Sequence, residues 1–163
     1  MNPKSPDLCN SHDMVLVGDA ELNRVTGLVC QAAIAVHRAL GPGLLESAYV
    51  ACLVHELRER GLTVEADVSL PLNYKGIKLK KGYRIDARVN GLVIVEVKCV
   101  QKLAPIHAAQ LITYLKLTGC PIGLLLNFKV PKMIEGIKRK VNPDLGPHLP
   151  GSPPTERSSS PTK

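Results

Sequence analysis

Apolar residues recur at helical spacing from Leu22 through Val25, Val29, Ala32, Ala33, Val36 and Leu40. That predicts an amphipathic helix with Asp19 as its N-cap, stopped by Gly41-Pro42-Gly43. A second helix is expected from about Leu44, through Leu45, Tyr49, Cys52, Leu53 and Leu57, to Gly61. From Leu62 the period drops to two. Thr63 to Leu70 alternates, and Pro71 limits its pairing. Tyr74 to Leu79 carries Lys75-Gly76 as a turn between short strands. Tyr83, Ile85, Ala87 and Val89 then alternate with Arg84, Asp86 and Arg88, and Asn90-Gly91 signals a hairpin into Leu92–Val100. Pro105 suits the first turn of a helix reaching Leu117 with Gly119 as its C-cap. Ile122 to Phe128 is an apolar strand buried on both faces. Lys132 to Val141 is expected to form a last, basic helix. The predicted order is α-α-β-β-β-β-α-β-α, an α/β domain with a mixed sheet flanked by helices.

Composition sharpens this in two places. Residues 143–163 hold six Pro, two Gly and four Ser. Such a stretch buries too little to offset its ordering entropy and is expected to be a disordered tail. Residues 1–19 look similarly irregular, and Met14 offers an alternative start. The part between, 20–142, carries 18 basic and nine acidic residues, against a net +7 for the whole 163-residue chain. A domain this basic suits a polyanion, of which nucleic acid is the commonest in cytoplasm, although a solvated basic surface fits equally well. Five cysteines without CxxC spacing indicate neither a zinc site nor a disulfide framework. With no apolar run of membrane-spanning length, the expectation is a reduced, cytoplasmic protein.

Three charged residues interrupt strands that should be apolar: Asp86 in YRIDARV, and Glu96 and Lys98 in VIVEVK. Glu96 and Lys98 are two apart and share one strand face, while Val93, Val95 and Val97 share the other. A Glu–Lys pair on an exposed edge strand satisfies that spacing equally well. The register of Asp86 decides between them. A two-residue Asn90-Gly91 loop sets Asp86 opposite Val95, on the wrong face. A three-residue Val89-Asn90-Gly91 loop, a type I turn with Gly91 left-handed, pairs Arg88 with Leu92 and Asp86 with Ile94, diagonal to Glu96. The second is expected. It gathers two carboxylates and an ammonium, and the carboxylates raise one another's pKa unless a cation intervenes. Hard oxygen donors favour Mg²⁺ or Mn²⁺. The chemistry suggested is metal-assisted phosphodiester hydrolysis, with Lys98 stabilising the developing oxyanion.

An acidic residue followed by E-x-K on the next strand resembles the PD-(D/E)XK nucleases, the restriction-endonuclease-like fold. The motif has company. Gly43, Glu46 and Tyr49 form G-x-x-E-x-x-Y in GPGLLESAY, preceded by VHRAL; IVEVKCVQKLAPIHAAQLITYLKLTG and GLLLNF follow downstream. Together these resemble the GxxExxY branch of that superfamily over about 20–142. The resemblance implies an acidic residue from the first helix of the core (Glu46), metal ligands Asp86, Glu96 and the Val97 carbonyl, and Lys98 as the catalytic lysine. It also implies a Q-x-x-x-Y element, Gln110 and Tyr114, one turn apart on the next helix. Ile85 stands where the superfamily name has Pro.

Several of these residues have plainer readings. Glu46 suits a helix N-terminus, Tyr49 an ordinary core aromatic, and Gln110 a polar helix face. His37, His55 and His107 lack metal-ligand spacing. Lys78, Lys80 and Lys81 suggest phosphate contacts or merely an exposed turn. With five aromatics, single-strand binding by base stacking is disfavoured. The functions left open are a metal-dependent nuclease acting on DNA or RNA, a non-catalytic nucleic-acid-binding or assembly module, and an accessory protein whose basic face binds acidic partners. A homodimer is one way for so small a domain to gain specificity.

Overall fold

The computed structural model describes residues 19–145, so the expectations for 1–18 and 146–163 lie outside it. Two helices come first, α1 (Asp19–Leu40) and α2 (Glu46–Glu59), then strands β1 (Val64–Tyr74), β2 (Ile77–Val89) and β3 (Val93–Lys98). Helix α3 (Pro105–Thr118) leads to β4 (Ile122–Asn127), a one-turn helix α4 (Met133–Gly136), β5 (Ile137–Val141) and a 3-10 turn at Pro143–Leu145. The sheet runs β1-β2-β3-β4-β5. Only β3 and β4 are parallel, and α3 makes the crossover between them.

The helices divide the core into two layers. Leu22, Val25, Val29 and Val36 of α1 and Leu53 and Leu57 of α2 pack on Val93, Val95, Val97, Leu124 and Leu126. Leu111, Tyr114 and Leu115 of α3 cover Ile94 and Leu125 on the other face. Every residue of β4 is buried, as its unbroken apolar run predicts. Close approach of α3 requires Gly123, where a Cβ would lie 2.7 Å from Leu111 Cδ1.

The predicted order needs two corrections. The segment Tyr74–Leu79 does not form separate short strands: Lys75-Gly76 turns the chain at positive φ, and the two arms belong to long, continuous β1 and β2. Pro71 is accommodated at a register shift between Leu70 and Leu72, on an edge strand where its missing N–H costs little. The second correction concerns Lys132–Val141. The helix there lasts one turn, and Ile137–Val141 pairs antiparallel with β4 from Leu126↔Ile137 to Ile122↔Val141. The open edge of a buried strand leaves a row of backbone donors and acceptors to be satisfied. β5 satisfies that row, which a helix does not.

Tyr49 shows how the GPG turn is held. Its hydroxyl donates to the Gly41 carbonyl and accepts the Leu44 N–H at 3.0 Å. Its ring, fully buried, stacks on Phe128 at 4.4 Å with 15° between planes. The tyrosine therefore fixes where α2 begins, and with it the position of Glu46. We expect Tyr49→Phe, which keeps the ring stack and orphans both backbone groups, to lower stability by about 1–3 kcal/mol. Urea unfolding of the two proteins checks this.

Candidate active site

The hairpin between β2 and β3 sets the geometry. The last three pairs of the ladder are Val89↔Val93, Arg88↔Ile94 and Ala87↔Val95. The loop has three residues, as predicted, but they are Asn90, Gly91 and Leu92. Asn90 and Gly91 both have positive φ, and Leu92 N–H closes the turn on the Val89 carbonyl at 2.9 Å. The turn is thus not the expected type I with Gly91 alone left-handed, and pairing resumes one residue later than expected. That shift moves Asp86 along β3 without changing its side: the register runs toward Glu96 instead of Ile94. Asn90 is fixed from both ends, its N–H on the Thr63 carbonyl and its Oδ1 on the Thr63 N–H, each at 2.8 Å.

Beyond Ala87 the two strands part. Asp86 fills the fork with its side chain, and its Oδ2 accepts the Val97 N–H at 2.7 Å. A residue in an extended strand projects its N–H and C=O to the same edge. The Val97 carbonyl therefore faces the fork as well.

Glu96 lies deeper, with only 3 % of its surface exposed. Lys98 Nζ donates to Glu96 Oε1 at 2.6 Å, and the buried Oε2 has no partner. Burial, then the Asp86 carboxylate, push the Glu96 pKa up to about 7 against the pull of Lys98; Glu46 adds to the rise. Burial also raises Asp86, opposed by the Val97 N–H, Lys98 and Arg84. Of the push expected between the two carboxylates one direction is present: Asp86 raises Glu96, whereas the rise of Asp86 itself comes from burial. The exposed edge-strand ion pair does not describe the site, because β3 is central in the sheet, Glu96 is buried and Lys98 is partly so.

The helices bring the remaining predicted residues to this fork from two sides. Glu46 opens α2, exposed at its N-terminus, and lines a cleft of about 560 Å³ with Ser47, Arg58, Asp67, Arg84 and Asp86. From the opposite layer, Gln110 Nε2 donates to the Tyr114 hydroxyl at 2.8 Å. Burial and the neighbouring Glu96 push Tyr114 up to about 12, with Asp86 adding to the effect, so the phenol stays protonated. Asp86, Glu96, Lys98 and Tyr114 form one electrostatic group. Gln110 joins it through Tyr114, and Glu46 acts on it through space. His107 is a helix cap, its Nδ1 accepting the Ala104 N–H at 3.0 Å.

Two contributions escaped the sequence reading. Asn127, buried at the end of β4, ties down the chain just past the E-x-K segment: Oδ1 accepts the Val100 N–H at 3.1 Å and Nδ2 donates to the Val100 carbonyl at 2.8 Å. The only signal was an Asn closing an otherwise apolar run. Asp67, at φ 60 in the middle of β1, pairs with Arg84 on the cleft wall. No period-two pattern announces such a kink.

With this arrangement in view, comparison with family models is decisive. Residues 23–140 match the model of the PD-(D/E)XK nuclease superfamily. The chain belongs to that superfamily. The mixed sheet flanked by helices, which the pattern predicted, is accordingly the restriction-endonuclease-like fold that the resemblance implied. No curated protein and no solved structure matches. Among the described residues, no helix of this superfamily member is long and apolar enough to cross a membrane.

Superfamily members typically use divalent metals, and the donors can be tested against one. Among the described residues, no group of three or more His, Cys, Asp or Glu side chains stands ready to hold an ion. The fork instead offers two carboxylates and a backbone carbonyl. The unpartnered Glu96 Oε2, beside a second acid that raises its pKa, is an oxygen donor of the kind a hard cation takes. The residues fit a hard divalent ion that keeps most of its waters.

The raised pKa has a measurable consequence. A carboxyl whose folded pKa exceeds its unfolded value binds its proton more tightly in the native state. Glu96 therefore contributes stability that is fully present below its ordinary 4.5 and lost as pH rises through about 7. In EDTA, wild-type protein should lose up to about 3 kcal/mol more than Glu96→Gln between pH 4.5 and 8. Denaturant midpoints across that range check the difference.

Proposed function

We propose that this PD-(D/E)XK protein is a metal-dependent nuclease that hydrolyses phosphodiester bonds in nucleic acid. The observation that carries the reading is the buried Glu96 with one oxygen on Lys98 and the other unpartnered, next to Asp86 in the fork. A module that merely binds nucleic acid has no use for two carboxylates whose burial raises both pKa values.

Asp86, Glu96 and the Val97 carbonyl would hold Mg²⁺ or Mn²⁺, which when bound supplies an acidified water and neutralises phosphate charge. The chain's own groups do the rest. Lys98 carries a positive charge anchored at 2.6 Å by Glu96, so it cannot drift into solvent. At the fork it orients the attacking water and offsets charge on the phosphate oxygens; a unit charge about 4 Å away is worth on the order of 4 kcal/mol at an effective dielectric of 20. Tyr114, held by Gln110 and still protonated at neutral pH, serves as a neutral donor at the α3 side. Glu46 bears on the fork from the cleft, where it shares a wall with Asp86. The narrower GxxExxY resemblance supports these roles for Glu46, Gln110 and Tyr114. Cys30, Cys52 and Cys99, free among the described residues, suit the reducing cytoplasm.

The alternative, a non-catalytic module of the same fold, draws on the same Lys98–Glu96 pair, which partly neutralises the site without any ion. The two readings separate in one assay. Purified protein with Mg²⁺ or Mn²⁺ is offered single- and double-stranded DNA and RNA beside Asp86→Ala and Lys98→Ala. Cleavage reduced at least about 100-fold in both variants, and abolished by EDTA, is expected. Equal cleavage by all three proteins, or none by wild type on any substrate, would remove the catalytic reading.

A further inference from the structure

The outer half of the β1–β2 hairpin has no place in the site. Leu70 and Tyr83 are the outermost pair that packs on α3, Leu70 within its apolar layer and Tyr83 edge-on to Tyr114 at 5.7 Å between centroids. Beyond them the chain continues as a two-stranded ribbon through Leu72↔Leu79, Asn73↔Lys78 and Tyr74↔Ile77 to the Lys75-Gly76 turn. Six residues of β2, 77 to 82, make it about 20 Å long at roughly 3.3 Å per residue.

The ribbon has two distinct faces. Paired residues share a face and successive pairs alternate, so Leu72, Leu79, Tyr74 and Ile77 lie together while Asn73 and Lys78 lie opposite. The apolar face is open: Tyr74 is 60 % exposed, Ile77 61 % and Leu79 46 %. Lys75 and Lys78 are exposed as well, with the Lys75 ammonium 5.4 Å from the Tyr74 ring centroid. Residues 71–83 include four lysines and no acid. Near the fork the cations are matched, Arg84 with Asp67 and Arg88 with Glu65. Along the ribbon nothing acidic in the segment balances the lysines.

Building on the nuclease reading, we propose that this ribbon is the element that grips the substrate, and that it grips duplex DNA by lying in the major groove. The B-form major groove is about 12 Å wide and admits a two-stranded ribbon, whereas the deep, narrow groove of an RNA duplex does not. Lys75 and Lys78 meet the flanking phosphates. The open Tyr74–Ile77 face meets the groove floor, where thymine methyl groups offer apolar contact. A second copy of this chain is the competing occupant, and the charge disfavours it: two such ribbons would bring lysines together with no acid between them.

The test reads binding without cleavage. Full-length protein in EDTA is titrated against a fluorescein-labelled 30-base-pair DNA duplex, one of its single strands, and an RNA duplex of the same sequence, across a range of salt. Wild type should prefer the DNA duplex. The double variant Lys75→Ala/Lys78→Ala should bind it about tenfold or more weakly near 0.15 M salt, with the log–log salt slope reduced by roughly 2; Lys75→Arg/Lys78→Arg should retain both. Unchanged affinity and slope in the alanine variant would overturn the proposal. So would equal binding of all three nucleic acids, or a wild-type dimer in sedimentation that the alanine variant dissociates. Ribbon-dependent binding by a protein that cleaves nothing would sink the nuclease reading alone. Cleavage with binding indifferent to the lysines would sink this one alone.

Discussion

Glu96 is a carboxylate set into the centre of a sheet whose strand is otherwise apolar on both sides, from Val93 to Val97. Taking an ion out of water costs several kcal/mol even after the protein relaxes. Lys98 returns part of this through a 2.6 Å contact, but the second oxygen is buried with nothing to bond. The balance appears as a pKa near 7 instead of one in the ordinary carboxylate range. A fold selected for stability alone would place Leu or Val there, as it does at Leu125, the parallel partner of Glu96 on β4. The cost is carried by the two apolar layers, and it leaves a group whose charge state a cation can decide.

The local architecture keeps that group in reach of a second acid. Antiparallel pairing normally continues until both strands end, with backbone donors and acceptors satisfying each other. Here the ladder stops at Ala87↔Val95, and the Asp86 side chain takes over as acceptor for Val97 N–H. One substitution of side chain for backbone does two things. It satisfies an amide that the parting strands would orphan, and it pins Asp86 beside Glu96. On the far side of β2, Asp67 adopts positive φ opposite the same position, so the neighbouring strand bends with it. Asn127 holds the chain beyond Lys98 from below. The carboxylates sit between two fixed backbone segments, which is what preorganised charge stabilisation requires.

Much of this was legible because it rests on period. The alternation Val93, Val95, Val97 against Ile94, Glu96, Lys98 fixes which residues share a face, and only the parity of the hairpin loop remained to be settled. Parity survived an error in position: the loop slid by one residue at each end, so Asp86 stayed on the correct side. What the sequence did not show has a common physical origin in contacts distant along the chain. Ile137–Val141 has the composition of a basic helix end, and only the open edge of β4 makes it a strand. Asn127 reads only as the polar end of an apolar strand and Asn142 as the end of the domain, yet both are buried, and the Asn142 amide donates to the Leu115 and Cys120 carbonyls at the end of α3. Tyr49 reads as core, and its ring is; its hydroxyl, bound to both ends of the GPG turn, is what positions Glu46.

The distribution of charge poses a last problem for the proposed function, since a domain that carries 18 basic against nine acidic residues over 20–142 should repel the divalent cation which that function requires. Distance resolves it. From Ile77 at the ribbon tip to Asp86 is nine residues of extended β2, about 30 Å, whereas exposed charges are screened beyond about 8 Å at physiological salt. The ribbon lysines therefore hardly weigh on the fork. Nearer in, Arg84, Arg88 and Lys98 each face an acid, Asp67, Glu65 and Glu96 respectively, while Asp86 and Glu46 have no ion pair of their own among the described residues. The fork is locally acidic inside a basic molecule. The proposed nuclease reading then has polyanion and divalent ion drawn to the same protein by different parts of its surface, to meet where the strands separate.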